Sequence, residues 1–330
     1  MQTQPNHTQI SKKTPLISFI ITYYNEPVNM LKACIESVLA LSLTDEEREI
    51  IVIDDGSNLS PLDLLTDITN EIFYIRQPNQ GLSQARNTGI TMSSGQYLQF
   101  IDADDYLIPH NYEKCLDFIR FKNPDMVLFD ETSKETTSLQ LPKDEVISGT
   151  EYIRNNNLKA RAWGYIFKKN LLLNLRFTKG ILHEDEEFTP QLIIRADKVY
   201  DTQIAAYFYR QRNDSITHKK DKRWKIKRLQ DTEQIIKTLQ DKADLMPPKE
   251  RSAMNRRVAQ LTMDYIYNTI ILTHDEQYLN HVIQRLEKRG LYPLPVKNYT
   301  KKYKTFSILI KTKIGRKILI NTLPLIKSGH

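Results

Sequence analysis

Asp102, Asp104 and Asp105 are packed around Ala103 directly after the apolar run Tyr97-Leu-Gln-Phe-Ile101. Hard oxygen donors at that density suit Mg²⁺ or Mn²⁺; Mg²⁺ takes one or two protein carboxylates and completes its shell with water and substrate phosphates. A cation held there would stabilise a diphosphate leaving group as charge builds on it. Taken alone, an Asp-x-Asp triplet also describes an acidic turn in water, so its neighbours must decide. Asp54-Asp55-Gly56-Ser57 closes another apolar run, and a carboxylate there can accept hydrogen bonds from a base or ribose, although the same residues also suit a type I turn. Asn79-Gln-Gly81-Leu-Ser83-Gln-Ala-Arg86-Asn87 surrounds an expected helix start, where N–H groups and a guanidinium favour an anionic or planar ligand, although an ordinary N-cap by Ser83 would explain the same residues without one. His183-Glu184-Asp185-Glu186-Glu187 precedes apolar Phe188, Leu192 and Ile193. Acidic residues suit the start of a helix, and a general base for a hydroxyl requires a carboxylate of this kind. Arg210 and Arg212 add two guanidiniums that could grip phosphate.

The elements that must carry these groups alternate. Leu16 to Thr22 is a short β-rich apolar run, followed by Asn25-Glu26-Pro27 and apolar Val28, Leu31, Ile35 and Val38, which predicts strand, loop and helix. Glu49 to Asp54, Ile72 to Ile75 and Tyr97 to Ile101 repeat the strand signal, with turn or helix signals between them. The first 105 residues read as an α/β fold with a parallel, doubly wound core, and polar residues gather after the strands, where open sheets bind ligands. From Asp125 the pattern loosens to α+β, with strand candidates at Met126 to Phe129 and Lys198 to Arg210 and a polar loop from Thr132 to Pro142. Beyond Trp224 the spacing is helical, interrupted at Pro247-Pro248 and between Gly290 and Pro295. The expected organisation is a polar extension over 1–15, a domain over 16–220 with halves 16–125 and 126–220, and a helical region over 221–330.

A chain of 330 residues with 40% hydrophobic content can bury a substantial core. Cys34 and Cys115 both fall in stretches with amphipathic helical pattern, which leaves no disulfide framework and fits a reducing, cytoplasmic setting. Residues 1–14 lack the apolar run of a secretory signal, and no uninterrupted apolar stretch is long enough to span a bilayer. The net charge of +7 is uneven, because Val296 to His330 holds nine Lys or Arg and no acidic residue. That tail carries a broken apolar pattern at Phe306, Ile308, Leu309, Ile310, Ile314, Ile318 and Leu319. It suits a helix lying on anionic lipid at the inner face of the plasma membrane, or a basic helix docked on the domain by its apolar face; nucleic acid is not the expected partner.

In this order, Thr22-Tyr-Tyr24-Asn-Glu26, Asp54-Asp-Gly-Ser57, Asn79 to Asn87, Asp102-Ala-Asp104-Asp105 and the Glu184-Asp185 pair resemble the inverting family 2 glycosyltransferases of bacteria. These have the GT-A fold, a Rossmann-like mixed sheet flanked by helices, and the resemblance runs from about Leu16 to Thr217. It implies that Thr22, Tyr24, Glu26, Asp54 and Arg86, with Asp55 in the same signature, surround the base and ribose of a nucleotide-sugar donor, most commonly a UDP sugar. It implies that Asp102 faces the ribose or donor sugar, that Asp104, one place beyond Ala103, holds Mn²⁺ or Mg²⁺ on the diphosphate, and that Asp185 deprotonates the acceptor hydroxyl with support from Glu184. Arg210 and Arg212 look like the basic pair that some relatives place near the diphosphate. The acceptor implied is a glycan or lipid-linked molecule in polysaccharide or glycolipid synthesis. The membrane-spanning helices and QxxRW box of processive synthases are missing, which argues for addition of one or few sugars.

A haloacid-dehalogenase-like phosphatase also has a strand ending in Asp-x-Asp. Here the motif lies mid-chain, and Tyr106 stands where that family has Thr or Val. A nicotinamide dehydrogenase would need GxGxxG where Tyr23 to Glu26 stand. A non-catalytic nucleotide-sugar-binding protein associated with membrane would be expected to have lost the carboxylates, and all are present.

Overall fold

The computed structural model describes residues 14–134, 141–211 and 222–327. The described residues of Met1–Pro142, Tyr165–Asn170 and Thr202–Arg210 form one compact unit; those of Lys143–Gly164, Leu171–Asp201 and Gln211–His330 form the other.

The first unit is built on β1 (Ile17–Tyr23), whose every residue is buried. A strand covered on both faces has no need of polar alternation, which is why Ile-Ser-Phe-Ile-Ile-Thr-Tyr reads as a nearly continuous apolar run. Its polar exception is satisfied locally: Ser18 Oγ donates to Glu49 Oε2 at 2.5 Å and accepts from Gly95 N at 2.8 Å. β2 (Arg48–Asp54) and β4 (Tyr97–Asp102) flank β1 in parallel, and β3 (Phe73–Arg76) extends the parallel run beyond β2. α1 (Val28–Leu39) follows β1, and α2 (Leu82–Met92) packs on β1 and β2. That approach is close at Gly89, where any Cβ would collide with the Ile20 side chain.

Beyond β4 the sheet becomes mixed. β8 (Tyr165–Lys168) lies antiparallel to β4 and to β6 (Met126–Thr132), and β5 (Tyr106–Leu107) is antiparallel to β9 (Val199–Phe208). The full order is β3-β2-β1-β4-β8-β6-β9-β5, with α3 (Pro109–Phe121) packed on β6. Cys34 in α1 and Cys115 in α3 are buried thiols.

In the second unit β7 (Val146–Ile147) pairs with the first residues of β9, and the rest is helical: α4 (Gly149–Asn155), α5 (Glu184–Ile193), α6 (Lys222–Asp244), α7 (Pro248–Thr273), α8 (Glu276–Lys288), α9 (Lys301–Leu309) and α10 (Lys313–Lys327). α4 packs on α7 and α5 on α6, so segments 143–164 and 171–201 share a unit with the C-terminal helices, across the division read at residue 220. Pro247-Pro248 separates α6 from α7, with Pro248 in the first turn, where its missing N–H costs nothing. α8 shows what holds these helices. Its Asp275 cap accepts from Gln277 N and Tyr278 N, worth about 1 kcal/mol. Leu279, Val282, Ile283 and Leu286 along its buried stripe contribute about 1.5–3 kcal/mol each, so burial dominates.

Candidate functional site

The carboxyl ends of β1, β2 and β4 stop level with one another, since Tyr23 pairs with Asp54 and Thr22 with Asp102. Residues that follow these strands therefore share one edge of the first unit. Two of the loops are tied together there. Asn25, in the left-handed region at φ 61, donates its N–H to Ser57 Oγ at 3.0 Å and accepts from Asn58 N at 2.8 Å. Asn tolerates that conformation better than most side chains.

Asp54 and Asp55, expected beside the base and ribose, turn their carboxylates inward. Asp54 is fully buried; Oδ1 accepts from Ser57 N at 2.8 Å and Oδ2 from the Tyr74 hydroxyl at 2.6 Å, with Arg76 Nε at 3.5 Å. Burial, then that bond to Asp54, pushes the Tyr74 phenol up to about 12. Asp55, also buried, accepts from Gln77 Nε2 at 2.7 Å, Gln80 N at 3.0 Å and Gly81 N at 2.7 Å. A buried carboxylate with those donors at hand gains more from them than from open solvent. The pair thus holds loops 56–58 and 77–81. Ser83 is not the N-cap: it is buried one place inside α2, which starts at Leu82 after Gly81, and Gly81 has no side chain to cap it.

The acidic turn grows out of β4. Ala103 N donates to Thr22 O at 3.2 Å, extending the parallel ladder by one residue, and Asp105 N donates to Asp102 O at 3.0 Å. Asp102 Oδ1 accepts from Arg86 Nη2 at 2.9 Å; the Arg86 guanidinium is buried and lies 5.9 Å from the Phe100 ring centre. β9 closes the turn from its other side. The Tyr207 hydroxyl donates to Asp105 Oδ2 at 2.9 Å and accepts Asp102 N–H at 3.2 Å, while Arg210 donates its N–H to Asp105 Oδ1 at 2.8 Å and Nη1 to Asp104 O at 2.9 Å. The Arg210 guanidinium also lies 4.8 Å from the Tyr106 ring centre, and that ring stacks on Phe208.

Negative charge is crowded at this edge. Burial pushes the Asp105 carboxyl up to about 8; the Asp102 and Asp104 charges add to the rise, and the Arg210 N–H and Tyr207 hydroxyl oppose it. Burial likewise lifts Glu26, in the loop after β1, to about 7, against backbone N–H bonds that include one from Tyr24 at 2.5 Å; the charges of Asp104 and Asp102 add to the rise. Among the described residues no three His, Cys, Asp or Glu side chains are set to hold a metal by themselves. The arrangement suits a cation that takes one or two carboxylates and completes its shell with phosphate and water.

Thr22, Glu26, Arg86, Asp102, Ala103, Asp104 and Arg210 thus come together in the first unit, with the Tyr24 side chain exposed beside them. Arg212 lies outside the described residues. Glu184 and Asp185 belong to the second unit, in the first turn of α5; Glu184 is buried and Asp185 half-buried. Burial, then the nearby Arg228 charge, pushes the preceding His183 imidazole down. The sequence marks Tyr207 only as one of the alternating residues of the Lys198 to Arg210 strand, because nothing in that alternation identifies one inward tyrosine as the partner of a distant aspartate.

A parallel Rossmann-like half, a mixed continuation and an acidic turn after the fourth parallel strand define the GT-A class of fold, as expected. Residues 18–176 match Glycosyl transferase family 2, and this segment is a glycosyltransferase domain of that family. The same match leaves the phosphatase reading without support. The glycosyltransferase GlyA of Streptococcus pneumoniae is 27% identical over 228 residues, 63% of this chain and 32% of GlyA, so the chain spans about a third of that relative. Two solved structures share the fold. S. aureus TarS 1-349 in complex with UDP-GlcNAc has a TM-score of 0.67 at 16% identity, covering 95% of this chain and 92% of its own. The mannosyltransferase PcManGT from Pyrobaculum calidifontis, in complex with GDP-Man and Mn²⁺, has 0.57 at 13% identity, covering 94% and 87%. Among the described residues no helix is long and apolar enough to cross a membrane.

Proposed function

We propose that the protein moves a sugar from a uridine diphosphate sugar to a hydroxyl of a glycan or lipid-linked acceptor, inverting the anomeric carbon, in polysaccharide or glycolipid synthesis on the cytoplasmic side. The observation that carries this reading is the crowding of Asp102 and Asp104 at the end of β4, level with the ends of β1 and β2, where their charges help burial to hold Glu26 at about 7. Family membership and the nucleotide sugars bound by TarS and PcManGT support the donor class, and the UDP-GlcNAc in TarS favours uridine. The donor set fits a divalent cation: Asp104, with Asp102 beside it, would hold Mn²⁺ or Mg²⁺. When bound, the cation neutralises charge on the departing diphosphate.

Thr22, Tyr24, Glu26, Arg86 and the loops held by Asp54 and Asp55 frame the base and ribose. Arg210 and Arg212 serve the diphosphate. Asp185 takes the proton of the acceptor hydroxyl, with Glu184 in support. As the new bond from that oxygen to the anomeric carbon forms, the bond to the diphosphate oxygen breaks and its electron pair leaves with the nucleoside diphosphate. Direct displacement requires no covalent enzyme intermediate.

The C-terminal segment rests on anionic lipid. Supporting this, Tyr303, Phe306, Ile310 and Leu319 are buried in the helical core, while Ile308, Ile314 and Ile318 are exposed on a segment rich in lysine. The segment docks by one set of side chains and presents another.

The test is nucleoside diphosphate release from a panel of UDP and GDP sugars with candidate acceptors, with Mn²⁺ or with EDTA. Expected are turnover of a UDP sugar, its loss in EDTA, and its loss in D104A and D185A with melting temperatures retained. A GDP sugar turned over in preference would overturn the uridine assignment. Turnover insensitive to EDTA would overturn the cation, and full transfer by D185A the base.

A further inference from the structure

The turn bearing Glu184 and Asp185 lacks the usual means of holding a helix start. His183 precedes α5 at φ 60 and supplies no side-chain cap, a contribution ordinarily worth about 1 kcal/mol. Other anchors replace it within the second unit. The neck of loop 177–188 is closed where Phe177 stacks on Phe188 at 3.8 Å between ring centres and Thr178 Oγ1 donates to Glu187 Oε1 at 3.1 Å. One turn of α6 grips the loop further along. Lys227 Nζ donates to Gly180 O at 2.7 Å; Asp231 Oδ2, paired with the same lysine at 2.8 Å, accepts from Leu182 N at 2.8 Å. From α7 the buried Arg257 forms an ion pair with Glu186 and donates Nη1 to Leu158 O at 3.0 Å.

These contacts fall on either side of Asp185: the peptide of Leu182 is fixed from α6, and Glu186, its immediate neighbour, from α7. The two ties bracket a span of three residues, so the chain that carries Asp185 is held on both sides by side chains far along the sequence. We infer that Asp231 and Arg257 are positioning residues for Asp185, aiming the carboxylate that receives the acceptor proton. The inference rests on the reading of Asp185 as the base. Both residues lie outside the segment that matches the family, so the C-terminal helices take part in setting the reaction geometry. Misplacement of a reacting group by about 1 Å can cost about 10²-fold, and the loss of the residue behind a metal ligand, a comparable support, typically costs about 10–100-fold.

Steady-state kinetics of R257M, R257K and D231A in the full chain, with R257M and D231A repeated in a D185N background, tests it. Expected is a fall in kcat of about 10–100-fold in R257M and D231A with donor KM little changed, and partial recovery in R257K. In the D185N background neither change should lower the residual rate further, because each acts through a carboxylate already neutralised. Full kcat in R257M and D231A, or an equal further loss in the D185N background, would overturn the inference. Should R257M not fold, D231A alone and with D185N decides it in the same way. Failure of the base assignment shows separately, as D185N retaining wild-type transfer.

Discussion

The Tyr207 hydroxyl donates to Asp105 Oδ2 at 2.9 Å and accepts the Asp102 N–H at 3.2 Å, so one phenol on β9 pins both ends of the acidic turn. Tyr207→Phe leaves a buried carboxylate short of one donor and a backbone N–H short of its acceptor. The expected loss is about 1–3 kcal/mol, read from urea unfolding, together with weaker binding of UDP and Mn²⁺ by calorimetry. Unchanged midpoint and affinity would show that the turn holds itself.

Folding raises the carboxyls of Asp105, from 3.8 to about 8, and of Glu26, from 4.5 to about 7. A raised carboxyl binds more protons folded than unfolded between its two values. Its contribution to stability is therefore present in full below the unfolded value and is lost as pH rises through the folded one. Without ligand, these groups should cost the protein stability between about pH 4 and about pH 8, and D105N should flatten that slope. Mn²⁺ with UDP, which favours the ionised forms, should recover stability mainly at the upper end. Melting temperatures over a pH series decide this; a D105N slope identical to that of the parent contradicts it.

Gly56 sits at φ 79, and a Cβ there would lie 2.6 Å from the Asn79 backbone nitrogen. Gly56→Ala therefore incurs the left-handed penalty of about 1–2 kcal/mol and a backbone clash as well. Gly180, at φ 74 with nothing within 4 Å of its Cβ position, supplies the comparison. Gly180→Ala should cost about the conformational penalty alone, whereas Gly56→Ala should cost more and also weaken nucleotide binding by displacing loop 77–81. Equal losses in the two variants would remove steric contact between the loops as an explanation.

Co-sedimentation with vesicles containing an anionic lipid should fall with added salt, and it should disappear when residues 297–330 are deleted. Replacing Ile314 and Ile318 with serine should weaken it without unfolding the protein, since both side chains are already exposed. Sedimentation unaffected by either change would leave the tail as a docked helix pair.

β1, β2 and β4 were legible because strands buried on both faces read as unbroken apolar runs, and the polar clusters that stop them reveal where ligands belong. The helical character beyond Trp224 was legible through its spacing, and the break before α7 through two prolines. β8 was not: four residues are too few to show a period, and its place between β4 and β6 depends on pairing with distant strands. Within the site, Asp-Asp-Gly-Ser reads the same whether its carboxylates face a ligand or hold a loop more than twenty residues away, as Asp55 does with Gln80 and Gly81. The supports of Asp185 were hidden for the same reason, since Asp231 and Arg257 lie 46 and 72 places further along in helices whose composition suggests packing alone.

The raised carboxyls of Glu26 and Asp105 make the empty protein less sturdy than its fold would allow. A directed-evolution campaign that selects survivors of heating in plain buffer would enrich neutral replacements at these two positions and return tougher chains that hold the nucleotide and its cation less well. Heating the same library with UDP and manganese present would reverse the pressure, because there the two carboxyls earn their keep.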